Sequence, residues 1–246
     1  MKNLTPKYHN SAGRLLALLE SLKPNQPVVN QLGPLFFDEP VTNKIPQKSL
    51  LGIKSITQLH ILYANFVEDL EKAEIGDDEK AVLIKGLASL TSLMYPTNLD
   101  QSMRPVNEAE KALLEVCATR LPRENIIETE DIDIILASIQ ELKSLVIDLP
   151  PKSVLKTILL ELIRLSEDSI NRFNIYGGKG LKAAFKGMLA EVAELYLQDE
   201  EDVSEIRDTK DWDKVTKHLK TMDKIAAKVM KYKPLIEKTS NFLLGS

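Results

Sequence analysis

TEDIDIILASIQELKSLVIDL, residues 129–149, followed by PPKSVLKTILLELIRL, residues 150–165, is the stretch whose pattern decides the fold. In the first part Ile132, Ile135, Leu136, Ile139, Leu142, Val146 and Leu149 recur every three or four residues. That spacing puts them on one face of a helix and on no face of a strand. Thr129 or Glu130 opens this helix, and Pro150-Pro151 stops it. Proline removes a backbone donor and disfavours helical geometry in the residue before it. Pro151 also suits the first turn of a new helix running to about Tyr176. The first half of that helix, with Leu155, Ile158, Leu159, Leu160, Leu162, Ile163 and Leu165, is apolar around most of its circumference. A helix of that kind is packed by neighbours on several sides.

The same period extends in both directions. Toward the N-terminus, Asn107 with Glu110 makes a capping box for a helix ending near Leu121. Gly76-Asp77-Asp78 ends one helix and caps the next, which runs from Glu79 to about Met94. Before it, Ile56, Leu59, Tyr63, Phe66 and Leu70 predict a helix that starts at Ser55 or Thr57. Asn10 or Ser11 caps a short helix carrying Leu15, Leu16, Leu18, Leu19 and Leu22. Toward the C-terminus, Gly177-Gly178 breaks the chain, and Leu181, Ala184, Phe185, Met188, Val192, Leu195 and Tyr196 mark an amphipathic helix. No strand-period run with hairpin turn chemistry stands out, and no repeat of fixed length recurs. The predicted fold is all-α, an irregular bundle or array of about eight helices.

Residues 23–54 have another texture. Pro24, Pro27, Pro34, Pro40 and Pro46 fall there, five of the chain's twelve prolines. The stretch reads as an extended arm, yet it carries Val28, Val29, Leu32, Leu35, Phe36, Phe37 and Val41, which must be covered. Either the arm wraps its own helical body, or Phe36 and Phe37 dock on a partner or a second copy. The organisation read from this is a short helix and proline-rich arm over 1–54 and a helical domain over 55–246. That domain includes an acidic connection, 199–209, and a basic amphipathic helix, 210–233.

Those last two segments carry opposite charge. Glu191, Glu194, Asp199, Glu200, Glu201, Asp202, Glu205 and Asp208 are followed by a lysine-rich helix. At about 100° per residue, Lys210, Lys214, Lys217, Lys220, Lys224, Lys228 and Lys231 share an arc of roughly 120°. Val215, Leu219, Met222, Ile225 and Val229 occupy another arc. The stripe reads as a solvated face, as a complement to the acidic segment, as a site for an acidic protein, or as a polyanion surface. Aromatic interleaving for stacking on single strands is sparse, with Trp212 and Tyr232 alone at hand. Trp212 suits equally an anchor to the helical body.

Chemistry-bearing motifs are few. His9, His60 and His218 make no HExxH or ExxH spacing, and no GxSxG, P-loop or dinucleotide fingerprint occurs. Cys117, the one cysteine, lies among Leu113, Leu114 and Val116 and reads as a small core residue. The carboxylates Glu161, Glu167, Asp168, Glu191 and Glu194 lack the histidines a metal site would bring. Gly177, Gly178, Lys179, Gly180 and Lys182 form the only glycine-rich element, either a tight corner between helices or a small anion site made of backbone N–H groups.

The net charge of −4 argues against a chain-wide nucleic-acid binder. A lone cysteine permits no internal disulfide and suits a reducing compartment. No secretory signal and no apolar run of bilayer length appears, so a cytoplasmic location is expected. The function these observations support is a non-enzymatic helical interaction module that joins a protein partner or another copy of itself. The alternative is polyanion binding, to nucleic acid or anionic lipid, through the lysine stripe. No cofactor or metal is indicated.

Overall fold

The computed structural model describes residues 6–23, 26–37, 45–94, 104–150, 154–197 and 210–236. Its helices are α1 (Ser11–Ser21), α2 (Val28–Phe37), α3 (Ile45–Lys72), α4 (Asp77–Leu87), α5 (Thr91–Met94), α6 (Glu108–Arg120), α7 (Thr129–Asp148), α8 (Val154–Asn171), α9 (Phe173–Leu197) and α10 (Lys210–Met230). A single 3-10 turn, Ala88–Leu90, joins α4 to α5. No β-strand occurs among the described residues. The all-α reading holds. The chain divides into two compact units, Met1–Arg123 and Glu124–Ser246.

In the first unit α1 packs on α3 and α6, α2 on α3, and α4 on α6. Asn10 explains how α1 is seated. Its Oδ1 accepts the Gly13 N–H at 3.0 Å, capping α1, while its Nδ2 donates to Ala118 O at 2.8 Å and Leu121 O at 3.3 Å. One amide thus serves the start of α1 and the end of α6, satisfying backbone groups that helix ends leave without partners. The capping box of α6 is present: Glu110 N–H donates to Asn107 Oδ1 at 2.8 Å and Asn107 N–H to Glu110 Oε2 at 3.0 Å. Arg104 adds a fork of two bonds to Glu110, at 2.8 and 2.5 Å. Those guanidinium bonds first, and the Asn107 backbone next, hold the Glu110 carboxyl at a pKa of about 2.

The proline-rich stretch departs from expectation. Its described residues are not extended: they form α2 and the opening of α3, which starts at Ile45 rather than near Ser55. Residues 24–25 and 38–44, with Pro24, Pro40 and Val41 among them, lie outside the described residues. Pro27 precedes α2, and Pro46 sits in the first turn of α3, where an N–H has no intrahelical acceptor in any case. Pro34 lies inside α2 and removes one hydrogen bond there. Leu32 and Phe36, four residues apart, are buried and offset that loss. Gln31 further ties the preceding chain to α2, its amide bonding Lys23 N–H, Lys23 O and Gln26 O. Ser55 and Thr57 are interior to α3, and each returns its hydroxyl to the carbonyl one turn back, Leu51 O and Ile53 O.

Among its described residues the second unit has four long helices in a closed ring: α7 packs on α8, α8 on α9, α9 on α10, and α10 back on α7. Its core takes Ile135, Ile139 and Leu142 from α7, Leu155, Leu159 and Leu162 from α8, Leu181, Phe185 and Met188 from α9, and Val215, Leu219 and Met222 from α10. α8 ends at Asn171 rather than at Tyr176, and residues 173–176 form one helical turn ahead of a break at Gly177.

Candidate functional site

α10 is an amphipathic helix with a wide apolar side. Trp212, Val215, Leu219, Met222, Ile225, Ala226, Ala227 and Val229 are buried, together with Thr216, His218 and Asp223. On a helical projection these occupy an arc of about 200°, a little over half of the circumference, because α10 is covered by α7 on one side and α9 on the other. Among the described residues the remaining arc is the exposed one, and the lysines share it with Asp213 and Thr221. Trp212 is an anchor in the core.

Along that arc the lysines differ. The side chain of Lys210 lies outside the described residues, and Lys214 is half-buried. Lys217 Nζ sits 2.9 and 3.0 Å from the two carboxylate oxygens of Glu141 on α7. Lys228 Nζ lies 2.8 Å from Asp131 Oδ2 and 2.5 Å from Glu128 Oε2. The bonds to Asp131 and then Glu128 raise its pKa above the ordinary lysine value. Lys220 and Lys224 are exposed and make no ion pair among the described residues. With Asp213, Thr216, Lys217 and Thr221 they line an open depression of about 380 Å³. The acidic connection expected to complement these lysines, 199–209, lies outside the described residues; among the described residues the carboxylates paired with Lys217 and Lys228 are Glu141 and Asp131 on α7 and Glu128 just ahead of it.

Beneath this face is a polar cluster that sequence reasoning missed. His218 is fully buried. Its Nδ1 is 2.7 Å from Ser138 Oγ on α7 and its Nε2 is 2.8 Å from Ser166 Oγ on α8. Ser166 Oγ also lies 2.7 Å from Leu162 O, which can only accept. The proton assignment follows: Ser166 donates to Leu162 O, His218 Nε2–H donates to Ser166, and Ser138 donates to Nδ1. Every position is satisfied with a neutral ring. Burial pushes the His218 pKa down to about 4, against a smaller upward pull from Glu141. The cluster joins three helices, and with His218 and Ser166 at 0% exposure it ties the core of the unit together. Its signal in the sequence is a polar residue on each buried arc: Ser138 beside Ile135 and Leu142, Ser166 beside Leu162 and Ile163, His218 beside Val215 and Leu219. Buried polar groups require partners, and these are one another's.

The glycine corner is built against the end of α10. Gly177 has φ 57° and ψ −148°, the positive φ expected of a glycine break but with ψ away from the left-handed helix. Gly178 N–H donates to Glu124 Oε2 at 2.6 Å, so the anion at this corner is the chain's own carboxylate. A Cβ on Gly178 would stand 2.5 Å from Met230 Cγ and 2.8 Å from Val229 Cγ1, a close approach that requires glycine. Asn125, next to Glu124, donates from its backbone to Val229 O at 2.9 Å and from its side chain to Lys228 O at 2.8 Å. Lys231 follows with φ 57°, and Tyr232 N–H reaches back to Ala227 O at 3.1 Å, closing the helix in a Schellman arrangement. Lys182 Nζ lies 4.8 Å above the Tyr232 ring. Lys179 and Gly180 are half-buried in the first turn after the break.

Other sequence candidates have structural placements. Phe36 is 2% exposed, inside the first unit, and the side chain of Phe37 lies outside the described residues. Cys117 is buried, and burial pushes its thiol up to about 11, so it is not a poised nucleophile. Glu161 pairs with Arg164, Asp168 with Arg164 and Arg172, and Glu167 with Lys143. No group of three or more potential metal ligands gathers among the described residues, and no helix there is long and apolar enough to cross a membrane. No protein-family model, curated protein or solved structure matches the chain.

Proposed function

We propose that the protein is a non-enzymatic helical interaction module that associates with a protein partner or with another copy of itself. The observation that carries this reading is the mixed charge of the α10 face. Its lysine arc is interleaved with Glu128, Asp131 and Glu141 from α7 and with Asp213 from α10 itself. Alternating charges beside a shallow depression suit another protein surface, where complementary pairs set register and exclude wrong partners. A polyphosphate surface needs the opposite, a run of cations without carboxylates among them. The second reading, a polyanion site, is favoured by Lys220 and Lys224, whose charge the described residues leave unneutralised.

The untagged protein, purified and examined by light scattering with its ultraviolet absorbance ratio recorded, separates the two. A mass above that of one chain, or a copurified protein at defined stoichiometry, with a protein-like absorbance ratio supports the module. Copurified nucleic acid that salt removes supports the polyanion reading instead. A monomer free of both partners counts against each.

A further inference from the structure

We propose that the depression lined by Lys217, Lys220 and Lys224 on α10 receives an acidic segment of a partner protein, its carboxylates spaced about one helical turn apart. This deepens the interaction-module reading and rests on it. Lys217 and Lys220 are three residues apart, and Lys220, Lys224 and Lys228 follow at four-residue steps. Like charges at those spacings repel on a helix. The fold relieves the row on one side only. Lys217 and Lys228 point to the carboxylates of α7. Lys220 and Lys224, turned roughly 40° to 80° around the helix from Lys228, have no carboxylate within ion-pair distance among the described residues. The hydroxyl of Thr221 is engaged with Lys217 O at 2.9 Å, so the charged donors facing the depression are ammonium groups, with the Thr216 hydroxyl beside them.

The chemistry of these donors favours carboxylates over phosphates. α10 contains no arginine, and the planar bidentate fork that suits phosphate is therefore absent from it. Asp213 lines the same depression, and Glu141 stands beside Lys217. Both repel any incoming anion. A partner whose carboxylates are confined to positions opposite Lys220 and Lys224 meets that repulsion less than the continuous negative charge of a nucleic acid or an anionic membrane. Two carboxylates four residues apart on a partner helix are about 5–6 Å apart at their Cβ atoms, the spacing of Lys220 and Lys224 themselves.

The test uses the full chain and a fluorescein-labelled helical peptide of alanines with glutamates at every fourth position. Binding is read by fluorescence anisotropy at about 0.05 M salt, where a Debye length exceeds 10 Å. The expected result is saturable binding that weakens about tenfold in the Lys220→Glu/Lys224→Glu variant, less in Lys220→Gln/Lys224→Gln, and not in Lys186→Gln. The glutamine variant keeps the question answerable if the charge reversal fails to fold. Peptide binding that ignores both substitutions overturns the proposal, as does tighter binding to single-stranded RNA or phosphatidylserine vesicles. The same variants are followed by light scattering. Association that persists unchanged in them overturns the proposal while the module reading stands. Absence of any association by wild-type chain or peptide overturns both.

Discussion

Acidification should unlock the second unit through His218. The ring is neutral in the fold, with a pKa of about 4 set by burial, against about 6.5 when the chain is unfolded. Below pH 6.5 the unfolded chain takes up a proton that the folded state refuses, so stability falls as the pH drops toward 4. Below that both states carry the proton, and the loss levels off. A gap of about 2.5 pH units at about 1.4 kcal/mol each makes the full loss about 3.5 kcal/mol, of which about 2 kcal/mol is gone by pH 5. The physical source is burial, which strips a charged ring of its hydration; the ring would also donate from both nitrogens, and Ser138 would have to turn its hydroxyl to accept. The measurement is urea unfolding from pH 7 to pH 4.5, followed by the fluorescence of Trp212. That residue is the chain's one tryptophan and lies in this unit's core. His218→Gln removes the titration and keeps a donor and an acceptor. It should be less stable than wild type by about 1–2 kcal/mol at pH 7, for one imperfect hydrogen bond. The difference should vanish or reverse by pH 5. Parallel stability profiles for the two proteins across this range would refute the argument.

Three further outcomes follow from particular contacts. Gly178→Ala should lower stability by about 1–3 kcal/mol, since its methyl group meets Val229 and Met230; a stabilised variant in the same Trp212 unfolding assay would contradict the packing. Lys231→Gly should raise stability by up to about 1 kcal/mol by relieving a positive φ in a lysine, less what the freer unfolded chain takes back, with an increased urea midpoint as the readout. Glu110→Gln should destabilise the first unit at pH 7, because it breaks the Arg104 fork and weakens the capping box together. With its pKa held at about 2, the wild-type contribution is complete above the ordinary carboxylate range and is lost as pH falls from about 4.5 toward 2. Circular dichroism melts of the two proteins should therefore converge in that acid window.

How much of this was legible in the sequence depends on the range of the interaction. The capping box at Asn107 and Glu110, the cap at Asn10, and the stripe of α7 are local, set by residues three or four positions apart; both caps are found as read, and the stripe is found except that Leu136 is exposed and Leu145 is buried instead. So is the all-α class, because a 3.6-residue apolar period has one structural solution. Local rules misread residues 28–37 and 45–54, where proline spacing argued for an extended chain. Burial of Leu32 and Phe36 overrode it, and burial belongs to packing rather than to propensity. The lysine stripe was legible as a stripe. That it lies on the exposed arc of a helix covered on both sides was not.

The sequence by itself determined the helices from α6 onward, most of α1 and α3, the caps at Asn10 and Asn107 and most of the periodic faces buried, since those follow from backbone hydrogen bonding and side-chain spacing within one or two turns. The tertiary structure alone decided which charges meet: Lys217 finds Glu141 across 76 residues and Lys228 finds Asp131 across 97. It also decided that Ser138, Ser166 and His218 form one tie, and that Glu124 rather than a foreign anion takes the Gly178 N–H. Those pairings depend on how the helices are arranged about one another, and no periodicity within a single helix encodes which neighbour it will face.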